Sequence, residues 1–191
     1  MPHERRPVNG DADWPQAGLD PLRRLRVVAG ASKHALFVEH HFDAAPDQVW
    51  AVAADLEGEL PHLIPGLRSF TAERAADRGS DDDQRFNDRL SDERLSFRAV
   101  SVLGHRERFE VVLRPGWCLM QSRLLAGGMA AVPDGSGTRF AFFSAYRSPA
   151  GAALQWLRRP GARARGAALM AALQRRIGAR SLPGAAPGAA E

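Results

Sequence analysis

The chain has 191 residues, enough for one domain with a buried core. Hydrophobic residues make up 45% and charged residues 25%, ordinary values for a globular protein, and no apolar run reaches the length of a bilayer-spanning helix. Net charge is +4, and the high isoelectric point, about 10.4, comes from arginine, since Lys33 is the sole lysine. No recognised nucleic-acid motif accompanies that charge, so nucleic acid is not an expected partner. The N-terminus lacks the apolar centre of a secretory signal, and four acidic residues before Pro21 count against an organelle transit peptide. Cys118 is the only cysteine, which excludes an internal disulfide and suits a reducing compartment; the expected location is cytoplasmic.

Residues 1–19 are polar and without period. Asp20-Pro21 ahead of LRRLRVVA and Gly30 has the chemistry of a capped helix, Asp20 as N-cap and Pro21 first inside. Leu22, Leu25 and Val28 share its apolar side, and residues 1–30 form an N-terminal extension ahead of a domain at 31–182. Leu36, Val38 and Phe42 alternate as in a half-buried strand, with His40 on the same side. Pro46 and Asp47 open a short helix whose apolar stripe is Val49, Trp50, Val52 and Ala53. Pro61, Pro65 and Gly66 break the next helical segment.

A second strand is expected over Leu67–Arg74, with Leu67, Ser69 and Thr71 facing away from Arg68, Phe70 and Ala72. Ala76–Gln84, with its acidic triplet Asp81–Asp83, reads as a solvated loop, because the spacing of a calcium loop is absent. Strands follow at Arg85–Leu90, Leu95–Leu103, Arg108–Leu113, Trp117–Leu125 and Thr138–Arg147. Their short, Gly- and Pro-containing connections favour an antiparallel meander. Leu169, Met170, Leu173 and Ile177 then repeat with helical spacing, predicting a helix from Gly161 to Arg180 after a break at Pro160. Residues 183–191 form an Ala/Pro/Gly tail.

This order resembles the START-like, or helix-grip, superfamily, which includes polyketide cyclase/dehydrase and lipid transport proteins. The resemblance covers Leu36 to Arg180. It is carried by DAAPDQVWAVAADLEG (Asp43–Gly58), LPHLIPGLRSF (Leu60–Phe70), DGSGTRFAFFSAYR (Asp134–Arg147) and the terminal amphipathic helix. RLSFRAVSVLGHRERFEVVL (Arg94–Leu113) is somewhat similar to the coenzyme Q-binding branch. The resemblance implies an α+β fold: a curved antiparallel sheet of about six or seven strands around a long C-terminal helix, with two short helices after the first strand. It also implies a cavity between sheet and helix for a lipid, isoprenoid or polyketide-like ligand. No catalytic residue carries over, and no cofactor or metal is expected.

The cavity wall is expected from Leu63, Ile64, Phe97, Phe109, Phe142, Met170 and Leu173, residues that otherwise serve as core. Phe97, Phe109, Trp117, Met120, Phe140, Phe142 and Met170 form the larger apolar set. Burial of a ligand against them is worth about 25 cal/mol per Å² of apolar area. Three functions fit: a carrier of a small hydrophobic ligand, a cyclase-like enzyme using the same cavity, and a partner-binding module with a filled core.

Other chemistry has a plainer reading. His40 and His41 are adjacent on a strand and point to opposite faces, so they do not chelate one metal together. Cys118 reads as a small buried hydrophobe. Asp88, Asp92, Glu93 and Glu110 show no spacing that demands an acid–base pair. Asn87 and Arg89 share a face expected to be convex. The arginine-rich final helix presents a solvated outer face, with contact to an anionic membrane surface as the second reading.

Overall fold

The computed structural model describes residues 18–32, 35–73, 94–148, 151 and 161–181. In chain order it contains α1 (Pro21–Gly30), β1 (Leu36–Phe42), α2 (Pro46–Ala53), α3 (Leu60–Leu63), β2 (Leu67–Ala72), β3 (Arg94–Ser101) and β4 (Arg106–Arg114). β5 (Trp117–Gln121), β6 (Leu125–Asp134), β7 (Gly137–Tyr146) and α4 (Ala162–Ser181) complete it. The expected loop at Ala76–Gln84, the strand at Arg85–Leu90, the break at Pro160 and both chain ends lie outside the described residues.

All seven strands form one curled antiparallel sheet in the order β1-β7-β6-β5-β4-β3-β2. Neighbours from β3 to β7 are joined by short turns, and two of these explain their glycines. Arg114 pairs with Trp117 and Asp134 with Gly137, leaving two-residue loops in which Gly116 (φ +70°) and Gly135 (φ +61°) adopt the left-handed conformation. β1 and β2 are the two edges, and α2 with α3 bridges between them. Pro46 opens α2, and the Gln48 side chain accepts a hydrogen bond from the Ala45 amide. Thr138, fully buried, donates its hydroxyl to the Ala44 carbonyl at 2.6 Å and pins this entry to the start of β7.

Two apolar layers lie on opposite faces of the sheet. The concave layer joins Phe42, Phe70, Phe97, Val111, Met120, Met129, Phe140 and Phe142 to Val49 and Val52 of α2 and to Leu169, Met170, Leu173 and Ile177 of α4. The convex layer joins Leu22, Leu25 and Ala29 of α1 to Trp117, Ala126, Ala130, Ala141 and Phe143. The helix cap is the expected one: Asp20 Oδ1 accepts from the Arg23 amide at 2.9 Å. Gly30 is the last residue of α1 rather than the first beyond it.

Three expectations need correction. Trp117–Leu125 is not one strand: β5 ends at Gln121, the Ser122 hydroxyl closes a turn by accepting from the Leu125 amide at 2.9 Å, and a new strand begins. That strand, β6, was not expected at all. Its AGGMAAV run has little β-branched or aromatic character, yet it lies in the sheet interior with Ala126 to Ala131 buried. Its small residues are required by what covers it. A Cβ on Gly128 would meet the Cys118 carbonyl at 2.7 Å, the Phe143 ring at 2.8 Å and Leu25 Cδ1 at 2.9 Å. Third, Trp117 does not belong with the concave aromatics. It lies under α1, with the Arg24 guanidinium 5.6 Å from its ring and its Nε1 unpartnered among the described residues.

Candidate ligand cavity

Strand alternation sends Phe142, Ser144 and Tyr146 of β7 to the concave face, while Phe143 points to the convex side. On that concave face, between sheet, α3 and the first turns of α4, is a cavity of about 350 Å³, at the lower end of small-molecule pockets. β1 contributes Leu36, α3 and its exit contribute Leu60, Ile64 and Pro65, and β2 contributes Leu67 and Phe70. Ala99, Phe109 and Met120 form the opposite floor, and Leu125, Ala126 and Gly127 line it from β6. Leu169 and Arg165 overhang it from α4. Pro65 and Arg165 are exposed and mark where the cavity reaches solvent.

Of the expected wall, Ile64, Phe109 and Phe142 line this space. Leu63, Phe97, Met170 and Leu173 are buried in the same apolar layer but do not line it. The helix explains part of that division. Positions 165 and 169 are one turn apart at the start of α4, over the cavity, whereas Met170, Leu173 and Ile177 continue into the part of α4 that packs on α2. Phe97 stacks behind Phe70 with centroids 4.8 Å apart, and Phe70 meets Phe109 edge to face at 5.5 Å. Strict alternation places Leu67 and Phe70 on opposite faces. The β2 ladder shifts register between Leu67 and Ser69, and this bulge brings both side chains to the cavity.

The polar part of the lining is small: Ser144, Tyr146 and Arg165. No carboxylate or imidazole lines the cavity among the described residues, and none of their His, Cys, Asp and Glu side chains gather in threes to hold a metal ion. His40 packs edge to face on Phe42 at 4.7 Å, outside the cavity. His41 turns to the other side, with Nδ1 3.2 Å from Asp134 and Nε2 3.4 Å from Asp43. Cys118 is fully buried, and burial pushes its thiol up to about 12, far from a nucleophile's range. Glu110 is exposed on β4, and Asp88, Asp92, Glu93, Asn87 and Arg89 lie outside the described residues.

An ion cluster that sequence reading missed holds the helices together at one end. Glu59, almost fully buried beside α3, is bound by Arg176 Nε, and Arg180 Nη2 reaches Glu59 at 3.0 Å and Asp55 at 2.6 Å. Burial works to raise the Asp55 pKa, but the Gly58 amide and the Arg180 guanidinium outweigh it and hold the carboxyl below its ordinary value. The only advance signal was a Glu beside a Pro-broken helix in a chain whose last helix carries unopposed arginines. Arg176 and Arg180 are therefore structural ties rather than a free basic face, leaving Arg163, Arg165 and Arg175 as the other exposed arginines of α4.

No family model matches the chain, and no curated protein matches it in sequence. Solved structures do match. TTHA0849 of Thermus thermophilus superposes with a TM-score of 0.53 at 22% identity, over 78% of this chain and 99% of that one. The di-domain ARO/CYC protein StfQ of the steffimycin biosynthetic pathway gives 0.51 at 12% identity, over 83% of this chain and 55% of its own. MLL2253 of Mesorhizobium loti gives 0.51 at 12%, over 78% and 98%. This chain has the helix-grip fold. At these identities the likeness is one of architecture. Among the described residues no helix is long and apolar enough to cross a membrane.

Proposed function

We propose that the protein binds a small hydrophobic molecule, of lipid, isoprenoid or polyketide type, in the cavity between β-sheet and α4. The observation that carries this reading is the cavity itself: an apolar space lined by Phe70, Phe109, Met120 and Phe142, with only a few polar groups, Ser144 and Tyr146 from β7 and Arg165 from α4. That arrangement suits a ligand with an oily body and one polar end. Displacing water from apolar walls supplies the attraction, and the polar groups supply orientation. A module with a filled core would not leave this space. Of the wall residues expected from sequence, Ile64, Phe109 and Phe142 are proposed as ligand contacts, and Leu63, Phe97, Met170 and Leu173 as the packing that holds them.

A cyclase-like enzyme is the second reading, favoured by the fold shared with the ARO/CYC protein and by Tyr146 and Arg165 in the lining. It has less support, since acid–base chemistry near neutral pH draws mostly on imidazole or carboxylate groups, which the described lining lacks. Native mass spectrometry of the purified protein, followed by solvent extraction, tests the proposal. A bound or readily acquired apolar molecule is the expected result. Protein that leaves purification bare, and takes up no fatty acid, isoprenoid or aromatic polyketide offered to it, rejects the reading.

A further inference from the structure

The turn between β3 and β4 carries two adjacent apolar side chains into solvent: Leu103 is 93% exposed and Val102 63%. Single exposed apolar residues are ordinary and need no explanation. Here three other features coincide with the pair. The turn is built, not loose. The Ser101 amide donates to the His105 carbonyl at 2.8 Å, the Ser101 hydroxyl accepts from the His105 amide at 3.1 Å, and Gly104 takes φ +81°.

The turn is also tied to the cavity rim. Its Val102 amide donates to the Gly66 carbonyl at 2.9 Å, directly after Ile64 and Pro65 of the lining. Finally, its surroundings are basic. Leu60–Phe70 and Arg98–Arg106 contain no acidic residue, and Arg68, His105 and Arg106 are all exposed. No ion pair engages Arg68 or Arg106 among the described residues.

We infer that this turn docks the protein on an anionic lipid surface, Val102 and Leu103 entering the headgroup boundary while Arg68 and Arg106 meet negative headgroups. A protruding pair of side chains is too small for a stable protein interface, which takes about 800 Å² from each partner. Lipid accepts such a protrusion, because apolar side chains there gain burial without a shaped counterpart. This places the first contact at the cavity rim rather than on α4, whose apolar stripe is buried against the sheet and whose Arg176 and Arg180 are engaged. The docking does not depend on what the cavity holds; only its use for delivering or collecting a ligand rests on the proposed function.

The test is flotation of the full chain, with no added ligand, on vesicles of phosphatidylcholine alone and of equal parts phosphatidylcholine and phosphatidylglycerol. Wild type is expected to float with the anionic vesicles and much less with the neutral ones, the binding falling as salt is raised. Val102→Ser/Leu103→Ser is expected to weaken it about tenfold or more. Arg68→Gln/Arg106→Gln is expected to remove most of the preference for anionic vesicles. Both variants change solvent-exposed positions, and thermal melting checks that they remain folded. Wild type that stays unbound, binds both vesicles alike, or floats as well after the Val102/Leu103 change overturns the proposal, whether or not the cavity is found to bind a ligand.

Discussion

The two faces of one strand, β6, are covered to opposite ends. Gly128 and its neighbours on the convex side are sealed under α1, so closely that a single added carbon would strike Cys118, Phe143 and Leu25. Gly127, the residue before it, faces the concave side, where the nearest atoms to an added carbon are the Phe143 carbonyl at 3.3 Å and Met120 Cε at 3.8 Å, and where the cavity begins. Adjacent glycines thus serve contact on one face and space on the other. Beside the cavity the concave face of β6 is left open at Gly127, while farther along the same face Met129 and Ala131 are buried in the main core.

Substitutions can break this contrast. Gly128→Leu is expected to have the largest effect, destabilising by at least about 3 kcal/mol or preventing folding, because the clash includes the backbone of β5. Urea denaturation measures it. Leu25→Ala, at a fully buried position, is expected to lose about 2–4 kcal/mol while leaving ligand affinity nearly unchanged, since it empties the sealed face. Ala99→Leu acts on the open face in the opposite sense. It fills cavity volume, so stability is expected to hold or rise by about 1 kcal/mol while affinity for an apolar ligand falls tenfold or more. Equal behaviour of Leu25→Ala and Ala99→Leu in binding would erase the distinction between the faces.

A smaller effect sharpens the same picture at the helix ends. Asp55, together with buried Glu59, ties the α2–α3 segment to α4 through Arg180. The folded state holds the Asp55 carboxyl below 3.8, so its contribution is complete above that pH and is lost as pH falls through the folded-state value. The pair is partly solvent-exposed, so Asp55→Asn is expected to cost less than about 1 kcal/mol near neutrality. It should also flatten the dependence of melting temperature on pH below 4.

Periodicity made much of this architecture readable in advance. The stripe Leu169, Met170, Leu173, Ile177 marked α4 to within one residue at each end, and Phe97, Phe109, Met120, Phe140, Phe142 and Met170 of the expected apolar set share the concave layer. β6 escaped because its composition answers to its surroundings: Gly128 is small for what covers it and Gly127 borders the cavity, and a strand propensity registers neither. The wall escaped in part for a different reason. A one-residue bulge in β2 put Leu67 and Phe70 on the same side, which strict alternation forbids. Which buried residues face a void and which face neighbours, as with Ile64 against Leu63, depends on where α3 and α4 cross the sheet. No one-dimensional pattern carries that.

The most direct measurement is a fluorescence titration with anilinonaphthalene sulfonate, an apolar dye with one anionic end, comparing wild type with Ala99→Leu. Saturable binding at one site is expected in wild type, with affinity at least about tenfold weaker in a variant that melts no lower. Equal dye binding by both proteins would show that the concave space is not where apolar molecules go.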